Sequence, residues 1–244
     1  MKLEVIATCM ADALTAEECG ADRLELITAI TEGGLTPGIG LVKQVVRNVG
    51  IPVHVMVRPH SRSFHYSNED IETMALEIES IGEAGAAGIV VGALTRHRTV
   101  DERALERLVP LAGDMQITFH RAFDELDNLS QGMKLLHHYP QITRVLTSGG
   151  VRPAAEAIYE IWELVQACQG ENLQILAGHG LTPENVMKVV RRTGVREVHF
   201  GSAVRQGRAA LAPIDAVVLR TLADELHHLE LRAEPREGDA NGAG

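Results

Sequence analysis

Short runs rich in Val, Ile and Leu alternate along the chain with longer segments in which apolar residues recur every three to four positions. The first pattern is typical of buried strands, and the second is typical of amphipathic helices. Eight short runs predict β-strands over residues 2–7, 22–27, 51–57, 87–92, 115–120, 142–147, 172–177 and 195–200. Each is followed by a predicted helix, over residues 11–19, 39–48, 68–84, 101–111, 129–138, 154–169, 183–193 and 213–228.

Eight strand–helix pairs with short connections and no linker predict one α/β domain, a single (β/α)8 TIM barrel over residues 1–231. A doubly wound open sheet is the alternative that this pattern leaves open. Residues 232–244 carry almost no apolar side chains, so burial cannot offset their ordering entropy. They are predicted to be a disordered tail.

Strand parity places an unusual set of polar side chains inside the predicted barrel. Side chains alternate across a strand, so the apolar residues that face the helices leave the others directed at the barrel axis. Barrel interiors are filled mostly by Val, Ile and Leu, and an unpaired buried charge is costly. The inward set therefore predicts ion pairs, such as one between Glu4 and Arg23, or a ligand site. Its members are Glu4, Glu25, His54, Arg58, His120, Ser148 and His199.

Glycine-containing loops follow the seventh and eighth predicted strands, at residues 177–182 and 201–203. In many barrels these loops bind phosphate through backbone N–H groups and a helix N-terminus. Gly178, Gly180, Gly201 and Ser202 are therefore candidate anion-binding residues, and glycine needed only for tight turns is the alternative. The loop at residues 59–67 contains several polar and aromatic side chains, and either covers the barrel mouth or is a plain surface loop.

Composition narrows the classes of partner. The chain has a formal net charge of −10 and only eight aromatic residues, which disfavours nucleic-acid binding. No apolar run approaches the roughly 18 residues that a membrane span needs, and the N-terminus lacks the pattern of a signal peptide. Cys9, Cys19 and Cys168 form no even disulfide framework, as expected in a reducing cytoplasm. We therefore expect a soluble cytoplasmic protein with small-molecule, metal or protein-subunit partners.

The eleven histidines raise the question of a metal site. The chain has none of the local spacings typical of one, such as His-x-x-x-His or His-Glu-x-x-His. A metal site would have to assemble from separate strands, with Cys9, His120 and His199 as candidate ligands and Glu25 as a further donor.

Six segments carry a pattern that generic barrel turns do not require, at residues 3–5, 20–26, 32–37, 51–59, 118–124 and 146–150. The most specific are Gly-Gly-Leu-Thr-Pro at 33–37 and Thr-Phe-His-Arg-Ala-Phe-Asp at 118–124. Together they resemble the CutC family, named for copper homeostasis, as far as about residue 203. The resemblance implies a cytoplasmic TIM barrel, a dimer or larger oligomer, and copper as the candidate cofactor. The positions that match the family pattern are Glu4, Glu25, Arg58, His120, Arg121, Asp124, Ser148 and His199.

The chain also departs from the family it resembles. Ile6 and Ile27 stand where many relatives have the cysteines that are candidate copper(I) ligands, and copper(I) prefers soft thiolates. Cys9 lies three residues further on and is the only nearby substitute. After Arg58 and Pro59, residues 60–63 read His-Ser-Arg-Ser in place of the usual Arg-Gly-Gly-Asp.

Two functions are therefore open. The first is a CutC-family protein of copper homeostasis, expected to be a homodimer. The second is an enzyme acting on a small carboxylate or phosphate metabolite by acid–base chemistry, with Glu25, His120 and Asp124 as catalytic candidates. The candidate ligand-binding residues in either case are Glu4, Arg58, Arg121, Ser148, Gly178, Gly180, His199, Gly201 and Ser202.

Overall fold

A computed structural model describes residues 1–229. Its centre is a closed barrel of eight parallel strands in chain order. The strands are β1 (Lys2–Ala7), β2 (Arg23–Leu26), β3 (Val53–Met56), β4 (Gly88–Val91), β5 (Gln116–Phe119), β6 (Ile142–Thr147), β7 (Gln174–Ala177) and β8 (Glu197–Phe200). The single (β/α)8 TIM barrel predicted from the sequence is thereby confirmed, and the open sheet is excluded.

Among residues 1–229, eight α-helices surround the barrel, one after each strand. They are α1 (Met10–Glu18), α2 (Ile39–Asn48), α3 (Asn68–Glu83), α4 (Glu102–Leu108), α5 (Leu129–Leu136), α6 (Ile158–Ala167), α7 (Pro183–Thr193) and α8 (Ala216–His227). Local signals set several starts. Ser67 and Asp70 form a capping box at α3, and Asp215 accepts hydrogen bonds from the first turn of α8.

Two predicted helices are shorter than expected. The predicted helix over 101–111 ends as α4 at Leu108 and continues as a 3-10 turn, because Pro110 removes a backbone donor. The predicted helix over 154–169 divides at Ala157, where the backbone leaves helical geometry, and only Ile158–Ala167 is α-helical. The predicted tail at 232–244 lies outside the described residues.

The main core lies between the barrel and its helices. Leu3 and Val5 of β1 and Leu24 and Leu26 of β2 are fully buried there, as parity predicted. A second, small cluster of Ile27, Met56 and Val90 is separate from this shell. The inward residues that remain are largely polar.

A layer of charged side chains fills the barrel interior toward the amino ends of the strands. Arg23 donates from Nε to Glu4 at 2.5 Å and from Nη2 to Glu197 at 2.7 Å. Arg144 donates from Nε to the same Glu197 oxygen at 2.9 Å and from Nη2 to Gln116 at 2.8 Å. All the charged members are buried, and each finds an opposite charge. The ion pair predicted between Glu4 and Arg23 is therefore present.

No helix within residues 1–229 combines the length and the apolar character needed to cross a lipid bilayer.

Candidate functional site

A cavity of about 540 Å³ opens at the carboxyl ends of the strands, the face on which TIM-barrel active sites lie. Its wall takes side chains from the strand ends and from the loops after them. Of the residues singled out from the sequence, those that line it are Glu25, Arg58, His120, Arg121, Gly180, His199, Gly201 and Ser202. The interior polar set and the two glycine loops thus meet at one site.

Other predicted site residues lie away from the cavity wall. Glu4 lies opposite His199 on the neighbouring strand and pairs with it. Ser148 and Asp124 are buried behind Arg121, and Gly178 packs so closely that an added Cβ would lie 2.6 Å from Leu146. Cys9 is exposed at the start of α1.

His120 presents a hydrogen-bond donor to the cavity. Its Nδ1 accepts a hydrogen bond from the backbone N–H of Ala122 at 3.1 Å, so the proton of the neutral ring is on Nε2. Nε2 is buried and has no partner among the described residues. Burial, with Arg58 and Arg121 nearby, lowers the pKa of His120 to about 3. A neutral ring with a free Nε2–H is suited to donating to a ligand oxygen.

Arg58 is a buried cation at the cavity wall that pairs with no carboxylate of residues 1–229. Its Nη1 donates to the backbone carbonyls of Glu32 and Gly34 at 3.0 and 3.2 Å, and its Nε is without a partner there. Phe64 packs on the guanidinium at 4.6 Å. Carbonyl contacts and a ring hold the side chain in place but do not neutralise its charge.

The loop at residues 59–67 reaches the barrel mouth through Phe64. Its ring lies 4.8 Å from the ring of His120 and on the guanidinium of Arg58. Phe64 itself lines the cavity. This part of the loop covers the site, as one of the two sequence interpretations expected.

Glu4, His199 and Glu25 form a buried row on the neighbouring strands β1, β8 and β2. His199 Nδ1 lies 2.8 Å from Glu4, and its Nε2 lies 3.8 Å from Glu25. Burial would raise the pKa of Glu4, but Arg23 and His199 lower it well below its ordinary value. Burial raises the pKa of Glu25 to about 7, against the attraction of His199. Burial lowers the pKa of His199, but Glu25 and Glu4 outweigh this effect and raise it.

Asp124 organises two loops. It accepts hydrogen bonds from Thr147 Oγ1, from the N–H and hydroxyl of Ser148, from the Gly150 N–H, and from Arg121 Nε at 2.9 Å. Both carboxylate oxygens are therefore occupied within the protein. Through these contacts Asp124 and Ser148 position Arg121 at the cavity edge, and the catalytic and ligand-binding roles expected of them stay predictions.

The sequence pattern did not indicate Arg208, which lines the cavity from the loop after β8 and pairs with Glu184 of α7. It also gave no individual role to His179, which lines the cavity with φ of +65°, in a left-handed conformation rare for residues other than glycine. A non-glycine residue between two glycines, as in Gly178-His179-Gly180, was the one available sign.

The cavity does not fit a thiolate copper(I) site. None of the described residues that line it is a cysteine, and Ile6 and Ile27 contribute only hydrocarbon. Cys9, His120 and His199 are not brought together as the sequence hypothesis expected. Within residues 1–229, three ligating side chains whose donor atoms lie within 4.8 Å of one another are found at Glu4, Glu25 and His199.

Comparisons with known proteins agree with this architecture. A "family protein CutC" of Salmonella enteritidis PT4 is 39% identical over 202 residues, which are 83% of this chain and 80% of the relative. The crystal structure of a CutC protein from Streptococcus agalactiae, whose name refers to copper homeostasis, matches with a TM-score of 0.77 and 29% identity, covering 82% of this chain and 97% of that one.

A more distant match shows the fold alone. N-(5'-phosphoribosyl)anthranilate isomerase from Pyrococcus furiosus has a TM-score of 0.62 at 14% identity and covers 94% of this chain and 100% of the isomerase chain. The model of the CutC family matches residues 1–204, which include every strand of the barrel. The family match and the two CutC relatives together establish that the chain belongs to the CutC family.

Proposed function

We propose that this protein binds a small anionic ligand in the mouth of its barrel, and that it contributes through this ligand to copper homeostasis, the role in the name of its Streptococcus relative. The observation that carries the proposal is Arg58, a buried guanidinium with no carboxylate partner among the described residues, at the wall of the cavity. A buried charge without a counter-charge is costly, so the site favours a ligand that brings a negative charge.

Two further donors support an anion. His120 Nε2–H is buried and unpartnered in the same wall. Arg121 is positioned from the next loop by its hydrogen bond to Asp124. An Arg guanidinium and a neutral imidazole N–H are suited to two oxygens of one carboxylate or phosphate.

The dimensions of the cavity also favour a small molecule. A volume of about 540 Å³ falls within the range of roughly 300–1,000 Å³ typical of small-molecule sites. The loops after β7 and β8 contribute Gly180, Gly201 and Ser202 to the wall, opposite the apolar Ile27 and Met56. A ligand with one charged and one apolar end suits this lining.

The test is thermal unfolding of the full chain with inorganic phosphate, pyrophosphate, citrate and succinate. At about 100 times Kd, a ligand that binds only the native state adds about 2.7 kcal/mol, which raises Tm by roughly 5–10 °C. Arg58→Ala is expected to abolish the rise. Arg62→Ala is the matched control, since Arg62 is exposed in the following loop. An equal rise in both variants, or no rise with any of the four anions, contradicts the proposal.

The link to copper homeostasis needs a cellular test. In a bacterial strain lacking its own CutC-family protein, the wild-type chain is expected to restore growth in added copper, and Arg58→Ala is expected to fail at equal protein level. Equal restoration by both chains would separate the copper phenotype from the anion site. The acid–base enzyme that uses Glu25, His120 and Asp124 stays a prediction from the sequence.

A further inference from the structure

At the inner end of the cavity, two atoms able to ligate a metal, His199 Nε2 and Glu25 Oε2, face each other. They are 3.8 Å apart, which is too far for a hydrogen bond. Glu4 lies opposite His199 in the register of β1 and β8, and Glu25 lies opposite Ile6 in the register of β1 and β2. Three adjacent strands therefore bring two carboxylates and one imidazole to one place.

Glu4 fixes the orientation and the tautomer of His199. The Nδ1–H of His199 donates to Glu4 Oε1 at 2.8 Å, and Arg23 occupies the other Glu4 oxygen at 2.5 Å. Because a carboxylate only accepts hydrogen bonds, Nδ1 keeps its proton in either charge state of the ring, and a metal ion binds at Nε2 in place of the second ring proton, which is released. Glu4 is thus fully engaged, and His199 presents a ligating nitrogen to Glu25.

Glu25 completes the pair. Its Oε2 lies 3.8 Å from His199 Nε2, which is longer than a hydrogen bond. Its Oε1 has no hydrogen-bond partner among residues 1–229 and no access to water, because the residue is only 2% exposed. Two ligands of one zinc ion lie about 2.0–2.2 Å from the metal, so a separation of 3.8 Å accommodates an ion between them.

We propose that Glu25 and His199 Nε2 bind a divalent first-row transition metal ion, represented by Zn²⁺, with Glu4 as the outer carboxylate that orients His199. A carboxylate behind a ligating imidazole is the usual support of such sites. The remaining coordination positions face the cavity, because Glu25 and His199 both line it. Nitrogen and oxygen donors select Zn²⁺ and its neighbours over copper(I), which prefers sulfur.

This site goes beyond the proposed anion binding and does not depend on it. The metal ligands come from β2 and β8 and the carboxylate that orients His199 comes from β1, whereas Arg58 and His120 lie just after β3 and β5. The two sites face one cavity, so a ligand anion is able to occupy a coordination position of the metal.

The first experiment is isothermal titration of the metal-free full chain with ZnCl2. One Zn²⁺ per chain is expected, with Glu25→Gln and His199→Gln each weakening binding at least 100-fold. Glu4→Gln is expected to weaken it 10- to 100-fold, because only the outer contact is lost. Glu32→Gln, at the exposed rim of the cavity, and His138→Gln, on the surface after α5, are matched controls expected to bind as the wild type does.

Arg58→Ala separates this site from the anion site: it is expected to retain Zn²⁺ binding. No binding by the wild type, or equal binding by Glu25→Gln, overturns the proposal. Where a variant fails to fold, a crystal of the wild type soaked in ZnCl2 decides the matter. An anomalous peak between His199 Nε2 and Glu25 supports the site, and peaks at other positions alone overturn it.

Discussion

Arg23 Nε lies 2.5 Å from Glu4 Oε2 inside the barrel, where both side chains are almost completely removed from water. The same guanidinium also pairs with Glu197. Removing one partner of a buried pair leaves an uncompensated charge. Arg23→Met is therefore expected to lower the free energy of unfolding by roughly 3–5 kcal/mol, measured by urea denaturation. Arg107→Met, which breaks the exposed pair with Glu72, is the control and is expected to change little.

Asp124 provides a second stability prediction. Asp124→Asn replaces an acceptor oxygen with an N–H that faces the donors of Thr147, Ser148 and Gly150. We expect a loss of roughly 2–4 kcal/mol in urea unfolding, since unsatisfied buried groups cost about 1–3 kcal/mol each. Asp127→Asn, at an exposed pair with Arg98, should leave the midpoint nearly unchanged. An unaltered midpoint in Asp124→Asn would contradict the structural role of the two Asp124 oxygens.

Gly92 provides the space that the ring of His120 occupies. A Cβ at this position would lie 2.6 Å from His120 Nδ1, so Gly92→Ala must displace the ring. The expected result is loss of the Tm rise caused by an anion, with the fold retained by circular dichroism. Gly40→Ala is the control, because an added Cβ there meets nothing within 4 Å. Retention of the anion effect in Gly92→Ala would show that His120 does not contact the ligand.

His54 predicts a pH dependence of stability. Burial, opposed by Glu4 and aided by Arg23 and Arg144, lowers the pKa of His54 to about 3 from its ordinary 6.5. The unfolded chain therefore takes up a proton between these values and the native state does not, so the free energy of unfolding falls as pH falls through this window. Urea unfolding at pH 7.0, 5.5 and 4.5 should show a steeper decline in the wild type than in His54→Leu. Parallel declines would contradict the neutral buried ring.

The barrel was predictable because apolar periodicity and strand parity are local properties. Leu3 and Val5 against the helices fix Glu4 inside, and Arg23, Glu25 and His199 lie inside as strand parity predicted. Strand parity could not decide which side chains of β6 face inward, since both of its alternating sets contain apolar residues. Arg144 was therefore not recognised as the partner of Glu197.

The roles within the site were less predictable, because they depend on where loops run. Nothing in the sequence indicates that the Ala122 N–H donates to His120 Nδ1, which leaves the proton of the neutral His120 ring on Nε2. Nor does the sequence indicate that both Asp124 oxygens accept hydrogen bonds from a neighbouring loop. The resemblance to the CutC family identified residues of the site, but it did not indicate their hydrogen-bond partners. Cytoplasmic location and a homodimer stay predictions.

The charged layer at the base of the barrel has a consequence for how the chain can be divided. Glu4 and Arg23 come from the first two strands, while their partners Glu197 and His199 come from the last. An N-terminal fragment ending before β5 would hold Arg23 with one carboxylate missing, and a C-terminal fragment would hold Arg144 and Glu197 without Arg23. Each half keeps one ion pair but loses the Arg23–Glu197 and Glu4–His199 contacts that join the two, so the halves should associate when produced as separate polypeptides and should fold poorly when produced alone.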